Sequence, residues 1–206
     1  MYRQADGEFL VQIAREAIRK RLEEDQQLAI PDIPPTLQNK SGVFVTIKKQ
    51  TKSREVLRGC IGHIYPEVPL LEATIDSAIL SATRDPRFPP MTPIELKESI
   101  IEITILTPPV IIKVNKPSEY LEQIEIGRHG LIIEKGVHTG VLLPQVPVEW
   151  NWNVEEFLAQ LCGKAGLRPD CWCMEDTKLY QFESEIFKEL SPEGKIVRDT
   201  LKYPSE

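Results

Sequence analysis

The sequence predicts an α/β domain of the α+β type, a mixed and largely antiparallel sheet with helices packed on it. Three observations carry this. Short β-rich runs occur in neighbouring pairs split by turn residues, three longer segments show helical apolar spacing, and no regular strand-helix-strand repeat of a doubly wound fold is present. A chain of 206 residues is long enough to bury a full core, and one domain over residues 1–206, with room for two lobes, is expected.

Phe9, Leu10, Ile13, Ala14, Ala17, Ile18 and Leu22 recur at helical spacing, with Glu8, Arg15, Arg19 and Glu23 opposite and Asp6 as a cap, so an amphipathic helix opens the chain. The run from Asp25 to Lys40, with Pro31, Pro34 and Pro35, reads as loop, which makes residues 1–41 a helix plus a proline-rich connection. Gly42 to Lys48 and Glu55 to Gly62 form a predicted hairpin. Pro69 starts a second helix carrying Leu71, Ile75, Ala78, Ile79 and Ala82, which Asp85-Pro86 ends because a residue before proline avoids helical backbone. Ser99 to Leu106 is a strand closed by Pro108-Pro109, and Ser118 caps a short helix to Ile124. Leu131–Ile133 and Val141–Leu143, among four glycines, suggest a second hairpin. Asn153 with Glu156 resembles a capping box for a helix to Ala165, which Gly166 terminates. Lys178 to Phe187 is expected as the last strand, and residues 191–206 as a polar, mobile tail.

A net charge of −6 gives no electrostatic reason to seek phosphate backbones or anionic lipid, so neither nucleic acid nor membrane is expected as a partner. No apolar run approaches the ~20 residues of a bilayer span, and the charged N-terminus does not read as a leader, which predicts a cytoplasmic protein. Four cysteines, Cys60, Cys162, Cys171 and Cys173, are too few for a disulfide framework, so free thiols in a reducing compartment are expected. Cys162 reads as core. Cys171-Trp172-Cys173 is too closely spaced for structural zinc, no metal site is expected, and no phosphate-binding glycine loop follows a strand, which leaves no predicted cofactor.

Four segments use residues that are costly for simple packing: Leu57-Arg58-Gly59-Cys60-Ile61-Gly62, Arg84-Asp85-Pro86-Arg87-Phe88-Pro89-Pro90, Gly127-Arg128-His129-Gly130 and Leu143-Pro144-Gln145-Val146-Pro147. With Phe157-Leu158, Cys162 and Lys164-Ala165-Gly166-Leu167 in the same order, they closely resemble the AMMECR-domain family, named for the human chromosomal region of Alport syndrome, midface hypoplasia and elliptocytosis. The resemblance runs from Gly42 to Phe187. It implies two lobes of unequal size and a role beside Memo-type and radical S-adenosylmethionine proteins in a biomolecule-modification pathway, with no firmly established activity.

On a regular strand Arg58, Cys60 and Gly62 share one face, alternate residues lying about 6.6 Å apart, so Arg58 would favour the Cys60 thiolate. Gly59 and Gly62 would let a substrate carbonyl or another backbone approach. The bland alternative is a buried thiol, glycines that admit a packed helix, and Arg58 paired with an acid such as Asp85. His129 is the candidate general base, or a turn histidine bonded to backbone; His63 and His138 depart from the family pattern. Asp85, Glu102 and Gln145 are candidate orienting groups. Asp85 and Arg87 among rigid prolines, and Gln145, are candidate binding residues, or locks of their own loops. Two functions follow from this: an enzyme or enzyme subunit working through Cys60, Arg58 and His129, or a noncatalytic binding or scaffold module whose surface is made by the hexapeptide, the Asp85–Pro90 loop and Gln145.

Overall fold

The computed structural model describes residues 1–30, 34–51, 54–65 and 67–199. Pro31 and the end of the predicted tail lie outside the described residues. The fold class is α+β, with helices and two sheets whose registered pairs are antiparallel. The chain divides into two units, residues 1–106 with 185–199, and residues 107–184.

In the first unit, α1 (Gln4–Glu24) begins two residues before Asp6. Asp6 is therefore not the cap; its carboxylate accepts the Arg3 N–H from within the first turn, at 2.9 Å. β1 (Val43–Gln50) and β2 (Glu55–His63) form the first hairpin, α2 (Leu70–Thr83) follows Pro69, and β3 (Ser99–Leu106) matches its predicted bounds. The sheet is completed by β8 (Ser184–Glu189) and β9 (Ile196–Asp199) in the order β2-β1-β3-β8-β9. Val43, Val45 and Ile47 of β1 and Ile101, Ile103 and Ile105 of β3 all join one core with the apolar faces of α1 and α2. Period-2 alternation then turns Phe44, Thr46 and Lys48, with Glu102 and Thr104, to the opposite face.

The second unit holds β4 (Val110–Ile111), α4 (Tyr120–Gln123), β5 (Gly130–Lys135), β6 (His138–Leu142), α5 (Gln145–Glu149), α6 (Val154–Lys164) and β7 (Lys178–Phe182). Its sheet runs β4-β7-β5-β6, and α6 packs its buried Phe157, Leu158 and Leu161 with Leu131, Ile133 and Leu179. Asn153 caps α6 through the Glu156 N–H at 2.9 Å, as its sequence predicts, and Gly166 ends it at φ +72.

Several expectations fail for identifiable reasons. The single strand predicted from Lys178 to Phe187 is two, β7 and β8, in different sheets with Glu183 between them. Residues 196–199 of the predicted tail form β9, because β8 offers a free edge that they close. Ser118 lies inside a 3₁₀ turn (Pro117–Glu119) preceding α4 and is not its cap. α3 (Pro93–Lys97) was not expected, although Thr92 and Glu95 form a capping box with proline at the first helical position. Among the described residues no helix is long and apolar enough to cross a membrane.

Candidate functional site

The signature hexapeptide lies in β2, an edge strand of the five-stranded sheet, and its geometry departs from regular alternation. Ile47 pairs with Gly59 but Lys48 pairs with Leu57, so Arg58 is an extra residue in a β-bulge. A bulge re-aims the side chain that it inserts. Arg58 accordingly does not serve Cys60. Its Nε and Nη2 donate to Glu95 at 3.0 and 3.2 Å, and Nη2 donates to the Pro89 carbonyl at 2.9 Å. The Arg58 guanidinium holds the Glu95 carboxyl at about 2, well below the usual carboxylate range. Arg58 does pair with an acid, as the alternative reading had it, but the acid is Glu95; Asp85, the example considered, belongs to Arg87.

Asp85, 4% exposed, follows α2 and reaches the free edge of β2. Its Oδ2 accepts the Cys60 backbone N–H at 2.9 Å, and the carboxylate also accepts Arg87 N–H, Nε and Nη2 at 3.1, 2.9 and 2.7 Å. Arg87 Nη2 in turn donates to the Cys60 carbonyl at 3.2 Å. One residue on an edge strand thus has both backbone groups taken by a side-chain pair from a neighbouring loop. Both guanidinium groups lie over the Phe88 ring, Arg58 at 5.7 Å and Arg87 at 5.6 Å from its centroid. The Arg87 guanidinium, foremost among these donors, holds Asp85 at about 2.

The Cys60 side chain is partly exposed and faces the sheet side opposite the helices. Cys60, Thr46 and Glu102 form one row across β2, β1 and β3. Thr46 Oγ1 donates to Sγ at 3.3 Å, and Lys48 Nζ sits 2.8 Å from Glu102. Burial pushes the thiol above its usual range, against the opposing pull of the Thr46 hydroxyl and the Arg87 guanidinium; Glu102 and Asp85 push it further up. The cation near this sulfur is therefore Arg87.

The flanking glycines are occupied by protein. A Cβ on Gly59 would lie 2.2 Å from the Ser81 carbonyl oxygen of α2, and one on Gly62 would lie 2.3 Å from the Val43 carbonyl and 2.5 Å from the Phe44 ring. The approach that these glycines permit is that of another backbone, α2, and an adjacent ring. Ser81 completes the lock: its hydroxyl accepts the Ile61 N–H at 2.7 Å and donates to the Val45 carbonyl at 2.8 Å. His63 points away from the thiol row, to Asp76 of α2 at 2.9 Å.

His129 and Gln145 belong to the second unit. His129 is buried, its Nδ1 accepts the Glu125 N–H at 3.1 Å, and burial pushes its pKa down. It is a turn histidine bonded to backbone, its proton on Nε2. Gln145 opens α5, where a loop was expected; its Oε1 is buried without a partner among the described residues. His138 Nδ1 lies 3.2 Å from the Ala165 carbonyl. Cys162 and Cys171 are joined by a disulfide, with Cα atoms 6.0 Å apart, which overturns the expectation of four free thiols. The left-handed Gly166 reverses the chain after α6 and returns Cys171 to the helix nine residues on. Cys60 and Cys173 are free.

The family model for AMMECR1 matches residues 11–187, which takes in the hexapeptide, the Asp85–Pro90 loop, His129 and Gln145. The chain belongs to the AMMECR1 family. A Thermococcus onnurineus protein is 52% identical over 205 residues, covering 98% of this chain and 100% of its own length. A Pyrococcus horikoshii protein is 52% identical over 197 residues, covering 95% of each chain. The crystal structure of that uncharacterized P. horikoshii protein aligns at TM-score 0.90 and 51% identity, over 95% of this chain and 97% of its own.

Proposed function

We propose that this AMMECR1-family chain is a noncatalytic binding module whose recognition surface is the corner where the hexapeptide meets the Asp85–Pro90 loop. One observation carries the reading: Asp85 and Arg87 grip both backbone groups of Cys60 while burial keeps its thiol protonated. A nucleophilic cysteine needs a lowered pKa or a base at hydrogen-bond distance, and the neighbour that bonds this sulfur is a threonine hydroxyl. A recognition surface needs rigidity, so that little entropy is lost on binding. Pro86, Arg87, Pro89 and Pro90 are exposed on a loop held by the Asp85–Arg87 ion pair, by the Arg58 hydrogen bond to the Pro89 carbonyl, and by a Phe88 ring within 6 Å of both guanidinium groups. The partner is a protein of a biomolecule-modification pathway in the cytoplasm, and family resemblance makes Memo-type and radical S-adenosylmethionine proteins the first to try.

A second reading, an enzyme or enzyme subunit using Cys60, draws on the Thr46 hydroxyl and the Arg87 guanidinium, both of which favour the thiolate. Alkylation of the native protein by iodoacetamide across pH 6–10, followed at each cysteine by mass spectrometry, separates the two. The binding-module reading expects Cys60 to react more slowly than the exposed Cys173 throughout. A Cys60 that outpaces Cys173 at neutral pH would overturn it in favour of the enzyme.

A further inference from the structure

Between α5 and α6 the second unit carries two tryptophans on one turn. Trp152 is half-buried against the core of that unit and donates its backbone N–H to the Pro147 carbonyl at 2.9 Å, while Trp150 donates to the Val146 carbonyl at 3.1 Å. Asn151 between them takes left-handed backbone, φ 54, and the two indoles stack with centroids 6.2 Å apart and planes 18° off parallel. The inner ring is anchored; the outer one, Trp150, is 68% exposed. A large, electron-rich aromatic face is thereby held in water on a fixed support.

The sequence around this face carries one sign of charge. From Gly136 to Gly163 there is no lysine or arginine, and the charged residues are Glu149, Glu155 and Glu156. Glu149 directly precedes Trp150, and Glu156 is held beside Trp152 because its Oε2 accepts the Asn153 N–H at 2.9 Å. Among the described residues the cations that lie over rings are Arg58, Arg87 and Arg198, all on phenylalanine, and none lies over either indole. An indole face attracts cations through its quadrupole, and neighbouring carboxylates add to that pull.

We propose that Trp150 is a docking platform for an arginine side chain of a partner protein. The planar guanidinium stacks on the open indole face, and its in-plane N–H groups stay free to reach carboxylates at the rim, a geometry that the compact lysine ammonium does not match. The platform shares no residue with the Cys60 corner, so it goes beyond the reading given for that corner and is tested independently of it.

The probe is the peptide Ac-Gly-Arg-Gly-Arg-Gly amide, titrated into the isotope-labelled full chain and followed by NMR at the indole N–H resonances. Those of Trp150 and Trp152 should shift with a Kd of about 1 mM, while the buried Trp172 stays unmoved as an internal control. Citrulline in place of both arginines, which keeps the shape and removes the charge, should weaken binding about fivefold, and lysine about twofold. Trp150→Ala should abolish the shift at Trp152, and Trp150→Leu, which keeps apolar area without a π face, should bind as poorly. Trp150 lies at the surface, and thermal melts matching wild type establish that both variants fold. Equal binding of the citrulline or the lysine peptide, full binding by Trp150→Leu, shifts confined to other residues, or no shift up to about 10 mM peptide would overturn the proposal. A short oligothymidylate that moved the same two indoles more strongly than the peptide would overturn it as well, since the ring would then serve bases.

Discussion

Replacing Asp85 by asparagine tests the central contact of the site. The carboxylate accepts four hydrogen bonds, from Cys60 N–H and from three donors of Arg87. Asparagine keeps the shape but removes the charge and turns one acceptor into a donor. Bonds to a charged group contribute about 1.5–3 kcal/mol, and a buried N–H left unpaired costs about 1–3 kcal/mol. The Arg87 side chain is 50% exposed, so water recovers part of its loss. The expected net destabilisation at pH 7 is roughly 2–3 kcal/mol. Acid supplies an independent check. Asp85 is depressed from its ordinary 3.8 to about 2, so its contribution is complete above the unfolded value and is lost as pH falls through the folded one. The gap between wild type and Asp85→Asn should be full at pH 6, shrink below about 4 and nearly close near 2. Urea unfolding followed by circular dichroism measures it. A gap under about 0.5 kcal/mol at pH 7, or one unchanged at pH 2.5, would refute the assignment of Asp85 as the clamp of β2.

Gly59→Ala should cost about 1–3 kcal/mol, because its Cβ meets backbone 2.2 Å away, whereas Gly163→Ala in α6, with nothing within 4 Å, should raise stability by about 0.5–1 kcal/mol; thermal melts decide both. Thiol titration of the unreduced, denatured protein should count two reactive cysteines, Cys60 and Cys173, and Cys162→Ser should destabilise the second unit by roughly 2.5 kcal/mol in urea unfolding. His129, lowered by burial, should remain neutral at pH 7 in an NMR titration; protonating it below the usual histidine range breaks the Glu125 N–H bond to Nδ1 and withdraws stability as pH falls.

The parts of the fold that were legible in the sequence are those where local chemistry and burial agree. The isoleucine-rich run from Ser99 to Leu106, every residue of it buried, became a strand with the predicted bounds, and Asn153 with Glu156 opened a helix as the capping pattern requires. β7 and β8 were hidden because one residue, Glu183, separates two strands of the same apolar rhythm. At the site, Cys60, Asp85 and Arg87 were picked out by composition, and they meet. Their pairing was misread because alternation along β2 presumes a regular ladder, and the bulge at Arg58 breaks it through a register that linear spacing does not carry. Glu95 was legible in principle, since Thr92-Pro93-Ile94-Glu95 has the capping-box pattern, but its tie to Arg58 spans 37 positions and needs tertiary structure to be seen.

The first unit is assembled from two stretches of chain, with its last two strands arriving only after residues 107–184 have been made. On the ribosome, β3 therefore waits with one side unpaired, all eight of its residues destined for the interior, until β8 emerges. A nascent chain halted before residue 185 would expose that apolar edge, and is the form of this protein most in need of a chaperone.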